Sequence, residues 1–300
     1  MRTYKVYQVD SFTTELFKGN PAGVVMNADG LNEAEMLTIA RELNNSETAF
    51  LFSPDAPDHE VRIRYFTPLT EVPVCGHATI AAHYVRAVEG QMDSSVIMHK
   101  IGVGTLPVEI VRHNGSCSII MTQGAISFDN PFNAEKRQRL LQALGLTEED
   151  LDERCPVEVA STGHSKVMIG IRKRSKLDSL NPNLAALKAL SAEINCNGYF
   201  VFTLDSQIEG VLSHGRMFAP AIGIAEDPVT GNANGPLGAY LVKYKLVECA
   251  GDQFCFKGEQ GSAIGRSGIV DVYVKMAAGE PVQVRIGGEA VIVFKTEMML

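Results

Sequence analysis

Residues 216–233 read RMFAPAIGIAEDPVTGNA and combine an extended run, a carboxylate pair, a proline and the small residues of a helix start. The carboxylate pair is Glu226 and Asp227, and Pro228 interrupts the extended run directly after it. A carboxylate just before a helix caps free backbone N–H groups, and the same N–H groups also hold bound anions. Taken alone, this stretch indicates a capped helix.

The same pattern occurs earlier in the chain, so the interpretation changes. Phe66-Thr67-Pro68 matches Phe218-Ala219-Pro220 at an offset of 152 residues, with an arginine two residues before each phenylalanine. Cys75 and Asp227 each follow nine residues after the phenylalanine, and a helix start made of small residues comes next. The sequence therefore predicts two copies of one strand-rich unit.

Two further matches support the duplication and show where the copies differ. Residues 42–47 align with residues 193–198 at an offset of 151, and strand patterns begin near Val6 and Val157 at the same offset. In this alignment Glu47 stands opposite Gly198, so only one copy carries a carboxylate there. The helix predicted from Gly76 is small and apolar on all sides, which indicates a helix enclosed by a curved sheet.

Composition excludes several classes of function. The 300 residues carry a net charge of −8, so we expect neither nucleic acid nor an anionic membrane surface as a partner. The N-terminal residues alternate polar and apolar without a secretory core, which predicts a cytoplasmic protein. The six cysteines show no CxxC spacing and argue against zinc and against a disulfide framework.

The two predicted helix starts indicate what the protein binds. A duplicated fold commonly places its site in the cleft between the copies, and there the N–H groups near Gly76 and Gly231 would bind a small carboxylate. Glu47, Cys75 and His77 come from the same copy, and glutamate and histidine are the usual residues of general acid–base catalysis. We therefore predict proton transfer on a small carboxylated molecule.

At these residues the chain resembles the PhzF (phenazine biosynthesis-like) family, with the YddE-type isomerases as the nearest group. The resemblance covers the whole chain and rests on four motifs: Asp10-Ser11-Phe12 with Gly19-Asn20-Pro21-Ala22, Ser46-Glu47-Thr48-Ala49-Phe50, Phe66-Thr67-Pro68 with Cys75-Gly76-His77-Ala78-Thr79, and Glu226-Asp227-Pro228-Val229-Thr230-Gly231.

The resemblance implies the α+β fold of diaminopimelate epimerase. This fold has two pseudo-symmetric domains, each a curved, mostly antiparallel sheet around a central helix, and the last strand returns to the first domain. We expect the first domain at residues 1–118 plus 288–300 and the second at residues 119–287.

The resemblance also implies isomerisation without a cofactor or metal. Glu47 would be the general acid/base, supported by His77 and Asp227. In the epimerase relatives two cysteines act from the two helix starts, whereas this chain has Cys75 at one and Asp227 at the other, which disfavours a two-thiol mechanism. Six further residues are expected to bind the substrate: Asn20, Ser46, Cys75, Gly76, Gly231 and Asn232.

Two alternatives remain open from the sequence. One is an epimerase or racemase that depends on Cys75, because a thiol at a helix N-terminus is a suitable acid or base. The other is a protein that binds a small molecule on the same fold without turnover. A homodimer is the expected assembly.

Overall fold

The computed structural model describes residues 1–300 and contains two compact units. The first unit comprises Met1–Thr122 and Gly287–Leu300, and the second comprises Gln123–Ile286. None of the helices has the length and apolar character that crossing a membrane requires.

The first unit contains mainly strands, with two helices. Its helices are α1 (Glu33–Leu43) and α2 (Gly76–Glu89). Its strands are β1 (Thr3–Ser11), β2 (Asn20–Met26), β3 (Thr48–Phe52), β4 (Val61–Phe66), β5 (Glu71–Val72), β6 (Ser95–Ile101), β7 (Gly104–His113) and β8 (Ser116–Thr122).

The second unit has more helices. They are α3 (Ala134–Leu144), α4 (Arg174–Asp178), α5 (Leu184–Ile194) and α6 (Gly231–Lys243). Its strands are β9 (Ile126–Phe128), β10 (Glu158–Thr162), β11 (Ser165–Gly170), β12 (Tyr199–Thr203), β13 (Ser213–Ala219), β14 (Ile224–Asp227), β15 (Gln253–Gln260) and β16 (Gly268–Ala277). The last strand, β17 (Glu280–Met299), starts among residues of this unit and continues into residues of the first.

Both units use the same order of strand pairing. In the first unit β2 pairs parallel with β3, β3 antiparallel with β4, and β4 parallel with β6. In the second unit β11, β12, β13 and β15 make the same three pairings in the same order. An antiparallel hairpin follows in each, β6 with β7 and β15 with β16. Equivalent residues can therefore be assigned from hydrogen-bonded register instead of a fixed sequence offset.

Each unit encloses one helix. Ten of the fourteen residues of α2 are buried, and the helix packs against β1, β2, β3, β7 and β8. Eleven of the thirteen residues of α6 are buried, and it packs against β10, β11, β15 and β16. The prediction that the helix at Gly76 lies inside its unit is confirmed. Small side chains allow this, because alanine and glycine let the strands approach the helix axis closely.

A second apolar layer lies between the sheet of the first unit and α1. Met36, Ile39 and Ala40 on one face of α1 pack against Phe50 and Phe66 in a single cluster. Their spacing of three and four residues is the apolar stripe of an amphipathic helix. This layer fixes the C-terminal end of α1 directly before the segment that carries Ser46 and Glu47.

Two histidines are buried inside the first unit. His83 on α2 and His99 on β6 are 0% and 1% exposed, and His83 Nε2 lies 3.1 Å from His99 Nδ1. Burial, with a smaller contribution from the positive charge of Arg86, lowers the pKa of His83 well below its usual range and the pKa of His99 to about 4. Both rings are neutral in the folded protein at neutral pH.

We expect this pair to destabilise the protein in mild acid. Below about pH 6.5 the unfolded chain binds protons at both histidines, whereas the folded chain binds the His99 proton only near pH 4. The free energy of unfolding should therefore fall by about 1.4 kcal/mol per pH unit for each histidine within this window. Urea denaturation between about pH 7.5 and about pH 5 measures the slope.

The variant His99→Gln tests the origin of this slope. It should reduce the dependence of unfolding free energy on pH, even if it lowers stability at neutral pH. His113→Gln is the matched control, because His113 is exposed at the end of β7 and its replacement should leave the slope unchanged. An equal slope in His99→Gln and the unmodified protein would contradict the explanation.

Candidate active site

The backbone of Glu47 is fixed from two sides. Asn44 ends α1 in the left-handed conformation, with φ 52°, and turns the chain toward β3. Asn45 then exchanges two side-chain hydrogen bonds of 2.8 and 2.9 Å with Gln8 on β1. The carbonyl of Glu47 accepts a hydrogen bond of 3.2 Å from the N–H of Gly23 on β2. These contacts set the direction in which the Glu47 side chain leaves the backbone.

The start of α2 provides the second part of the site. Cys75 occupies the N-cap position without a capping side-chain hydrogen bond, and the first turn contains no acidic residue. His77 is the second residue of the helix, and its carbonyl accepts a hydrogen bond of 2.8 Å from Ser11 Oγ. A helix start with no acidic side chain of its own is suited to bind an external anion.

Four predicted site residues meet at this helix start. His77 Nε2 lies 3.4 Å from Glu47 Oε2 and 3.2 Å from Ser46 Oγ, and His77 Nδ1 lies 3.5 Å from Cys75 Sγ. The side chains of Glu47 and His77 keep 17% and 9% of their surface exposed, so both retain some contact with solvent. We call Ser46, Glu47, Cys75 and His77 the Glu47 cluster.

The carboxylate of Glu47 makes no hydrogen bond that would give it a structural role. It accepts no hydrogen bond from the protein, and its distance of 3.4 Å to His77 exceeds the usual range of about 2.7–3.2 Å. Catalytic contacts of this kind often shorten only when substrate is bound. Glu47 therefore retains acceptor capacity for a substrate proton.

Glu47, Cys75 and His77 also offer a possible set of metal ligands. Their three ligand atoms lie within 4.8 Å of one another, and zinc accepts carboxylate, thiolate and imidazole. However, His77 turns Nδ1 toward Cys75 and Nε2 toward Glu47, and one ion can take only one nitrogen of a ring. The two ring nitrogens thus face two different partners, which suits proton exchange through the ring better than chelation of one ion.

Asn20 lies in the same surroundings as the helix start. It is the first residue of β2, is 1% exposed and pairs with Ser11 in the β1–β2 ladder. Gly19 before it has φ +62°, and a Cβ there would lie 2.1 Å from the carbonyl oxygen of Ser11, so this turn requires glycine. The turn places Asn20 beside the serine that holds the His77 carbonyl.

Asp227 lies in the second unit, and the structure corrects its assignment as the counterpart of Cys75. Met217 pairs with Asp227 as Tyr65 pairs with Val72, so Asp227 corresponds to Val72. The N-cap of α6, equivalent to Cys75, is Thr230. The fixed offset failed because Asp227 follows Met217 by ten positions, whereas Val72 follows Tyr65 by only seven, so this segment of the second unit holds three additional residues.

Asp227 is also not the cap of α6. It is the last residue of β14 and 7% exposed, and its carboxylate accepts a hydrogen bond from the Thr230 hydroxyl. Gln260, fully buried on β15, donates to the Asp227 carbonyl at 2.8 Å and to Thr230 Oγ1 at 3.1 Å. Its Oε1 accepts from the Thr230 N–H and from Asn234 Nδ2, both at 3.1 Å. One amide thus fixes the segment between β14 and α6.

Gly231 and Asn232 are held by Gln123. Its Nε2 donates to the Gly231 carbonyl at 3.2 Å and to Asn232 Oδ1 at 2.9 Å. Its Oε1 accepts from Thr162 Oγ1 at 2.7 Å. The amide of Gln123 therefore positions the start of α6, whereas the hydroxyl of Ser11 positions the start of α2.

Sequence reasoning missed three residues that build these helix starts: Ser11, Gln123 and Gln260. Ser11 belongs to a recognised motif, and the alternation of inward and outward residues along β1 could have indicated that its hydroxyl points inward. Gln123 and Gln260 lie outside every motif, and their partners are separated from them by 108 and 30 residues. No local pattern indicates such contacts.

Curated relatives of the chain include named isomerases. It is 55% identical to an uncharacterized isomerase of Clostridium acetobutylicum over 300 residues, which is 100% of this chain and 99% of the relative. It is 49% identical to the uncharacterized isomerase YddE of Escherichia coli, covering 98% and 97%. The trans-2,3-dihydro-3-hydroxyanthranilate isomerase of Pseudomonas chlororaphis is 32% identical, covering 94% and 95%.

Solved structures have the same fold. The Bacillus anthracis phenazine biosynthesis protein of the PhzF family matches with a TM-score of 0.90 at 34% identity, covering all of both chains. A hydroxyproline epimerase of Agrobacterium vitis matches with a TM-score of 0.62 at 14% identity, covering 100% of this chain and 93% of the epimerase, a likeness of fold.

These relatives define the class of the protein as an isomerase with the sheet-rich fold that PhzF proteins and proline racemase-like proteins share. The predicted enzyme class is confirmed. Residues 9–296 match the phenazine biosynthesis-like protein family, PhzC-PhzF, and the chain belongs to this family, as its motifs indicated.

The role of Gln260 in the second unit can be tested directly. Gln260→Ala leaves the Thr230 N–H and the Asp227 carbonyl without their buried partners, so we expect a loss of about 3 kcal/mol in unfolding free energy. Urea denaturation measures the loss. Gln253→Ala is the matched control, because Gln253 lies exposed on the same strand and its removal should change stability by less than about 0.5 kcal/mol. Equal stability of the two variants would contradict this role.

Proposed function

We propose that the chain is a cofactor-independent, cytoplasmic isomerase that moves a proton between two carbon atoms of a small carboxylated substrate. Glu47 acts as the general acid/base. The observation that carries this proposal is the Glu47 carboxylate, held beside His77 without a hydrogen bond to the protein and partly open to solvent.

The chemistry needs a single carboxylate. Glu47 removes a proton from one carbon, the electron pair of the broken C–H bond moves into the adjacent unsaturated system, and a new C–H bond forms at another carbon when Glu47 returns the proton. No electron is gained or lost overall. His77 at 3.4 Å supports the carboxylate, and Ser46 at 3.2 Å from His77 fixes the ring.

Substrate binding is proposed for the helix starts. Backbone N–H groups at Gly76 suit a carboxylate or the negative charge that develops during proton transfer. Asn20, and Ser46 and Cys75 of the Glu47 cluster, are proposed as further substrate-binding residues. Asp227 is proposed as a supporting group of the reaction and Gly231 and Asn232 as substrate-binding residues, and the shared cleft of the two copies stays a prediction.

The substrate class follows from the charge of the site and from one relative. A relative with 32% identity is named as an isomerase of trans-2,3-dihydro-3-hydroxyanthranilate. We propose for this chain a substrate that carries a carboxylate and an amino group near the carbon that loses its proton. The two similar domains of an epimerase-like fold and a homodimeric assembly belong to the same proposal.

A Cys75-dependent epimerase is the alternative that a specific contact favours. Cys75 Sγ lies 3.5 Å from His77 Nδ1, so the ring can exchange a proton with the thiol as well as with Glu47. In that mechanism the thiol, and not the carboxylate, removes the substrate proton. A chain that binds the substrate without turnover is the remaining alternative.

The decisive variant is Glu47→Gln. Carboxylated metabolites that raise the melting temperature are incubated with the protein in heavy water, and mass spectrometry measures deuterium incorporation. We expect Glu47→Gln to lower the rate of incorporation by at least about 100-fold while ligand binding is preserved, because the amide cannot accept the proton. Glu42→Gln, on the exposed face of α1, is the matched control and should exchange at the normal rate.

Cys75→Ser separates the two mechanisms. Under our proposal it keeps most of the exchange activity, since the thiol is not the base. Normal exchange in Glu47→Gln together with loss in Cys75→Ser would assign the reaction to the thiol. Binding without exchange in the unmodified protein would favour the silent binding protein.

A further inference from the structure

Lys166 in the second unit lies next to the position that corresponds to Glu47. In the first unit the Gly23 N–H donates to the Glu47 carbonyl at 3.2 Å, and in the second the Val167 N–H donates to the Gly198 carbonyl at 2.8 Å. These equivalent parallel pairings identify Gly198 as the counterpart of Glu47. Lys166 is the residue directly before Val167 on β11.

The Lys166 side chain fills the space that a side chain at Gly198 would use. A Cβ built at Gly198 would lie 2.3 Å from Lys166 Cδ, 2.8 Å from Cε and 3.5 Å from Nζ. The first unit thus has the carboxylate side chain of Glu47 at this position. The second unit has Gly198, and the side chain of Lys166 from the neighbouring strand fills the equivalent space. A side chain at position 198 would therefore have to displace the flexible Lys166 chain.

The ammonium group of Lys166 makes one hydrogen bond to the protein and no ion pair. Nζ donates to the carbonyl of Ser165 at 3.1 Å, and no carboxylate oxygen lies within 4.0 Å. An ammonium has three donors, so two remain for a ligand. Lys243 in the same unit, also partly buried, instead contacts Glu158 at 2.9 Å and has a clear structural role.

The electrostatic surroundings of Lys166 favour an anionic ligand. Burial lowers the pKa of the Lys166 ammonium, and the nearby Cys196 and Asp227 act in the opposite direction. Burial also raises the pKa of the Cys196 thiol, so that group is neutral at neutral pH. The ammonium is therefore partly desolvated with one carboxylate, Asp227, in its vicinity and none in contact. A carboxylate of a ligand would compensate for the interactions with water that the ammonium loses on burial.

We propose that Lys166 is an anion-binding residue of the second unit and binds the carboxylate of a small molecule. This inference takes from the proposed function only the class of the ligand, a small carboxylate. The equivalent backbone position then differs between the units, with the Glu47 side chain in the first and the Lys166 chain over Gly198 in the second.

The test compares carboxylates with their neutral amides. Isothermal titration measures binding of 2-aminobenzoate and 2-aminobenzamide, benzoate and benzamide, and L-proline and L-prolinamide to four proteins: the unmodified chain, Lys166→Met, Gly198→Ala and the control Lys188→Met. Lys188 is exposed on α5 and makes no ion pair. The carboxylate members should bind the unmodified chain more tightly than the amides.

We expect Lys166→Met to weaken binding of the carboxylate members by about 10- to 100-fold, the usual effect of a charged hydrogen bond, with little change for the amides. Gly198→Ala should weaken the same members by a smaller factor, because its Cβ displaces the lysine chain without removing the charge. Lys188→Met should bind like the unmodified chain.

Three results would overturn the inference: no preference for a carboxylate in the unmodified chain, equal weakening of acids and amides in Lys166→Met, or normal binding in both Lys166→Met and Gly198→Ala. Equal weakening would indicate a structural role. Because binding is measured without turnover, failure of isotope exchange would reject the proposed function and leave this result intact. Normal exchange by the unmodified chain with unchanged binding in Lys166→Met would reject the inference alone.

Discussion

A helix that is buried around its circumference can meet a ligand only at its ends. α2 and α6 are both such helices, and both begin without a capping side chain and without an acidic residue in the first turn. Each start therefore presents backbone N–H groups with partial positive charge. We therefore expect ligands to bind at these two helix starts, because the rest of each helix is enclosed.

The two units keep one backbone frame and differ in the side chains placed on it. Where the first has Glu47 beside His77, the second has Gly198 beneath the chain of Lys166. Ser11 holds the start of α2, whereas Gln123 holds the start of α6. Strand pairing fixes positions to within a residue, so single substitutions can change the chemistry without altering the fold. A duplicated frame can thus support an asymmetric reaction.

The four residues of the Glu47 cluster were recognisable in the sequence because they lie in short motifs near helix boundaries. The structure brings their side chains together, and their roles stay predictions. The alignment of the two copies paired Asp227 with Cys75, since a fixed offset cannot detect the three additional residues between Met217 and Asp227, and only strand register shows Val72 as the counterpart of Asp227. The contact between Lys166 and Gly198 was not predicted. Lys166 lies on β11 and Gly198 directly precedes the parallel strand β12, and 28 residues of chain separate these two strands. Contacts of this kind depend on register, which the local pattern of polar and apolar residues does not specify.

The pairing of β1 with β17 has a consequence for the order in which the chain folds. Thr3 lies opposite Met299, so β1 cannot complete this ladder until β17 has been synthesised. Residues 123–286 can form their own contacts earlier, because most of their partners are already synthesised. Such distant pairings slow folding and expose an open strand edge in the meantime. Trimming a few residues from the C-terminal strand should therefore harm the unit that contains the N-terminus first.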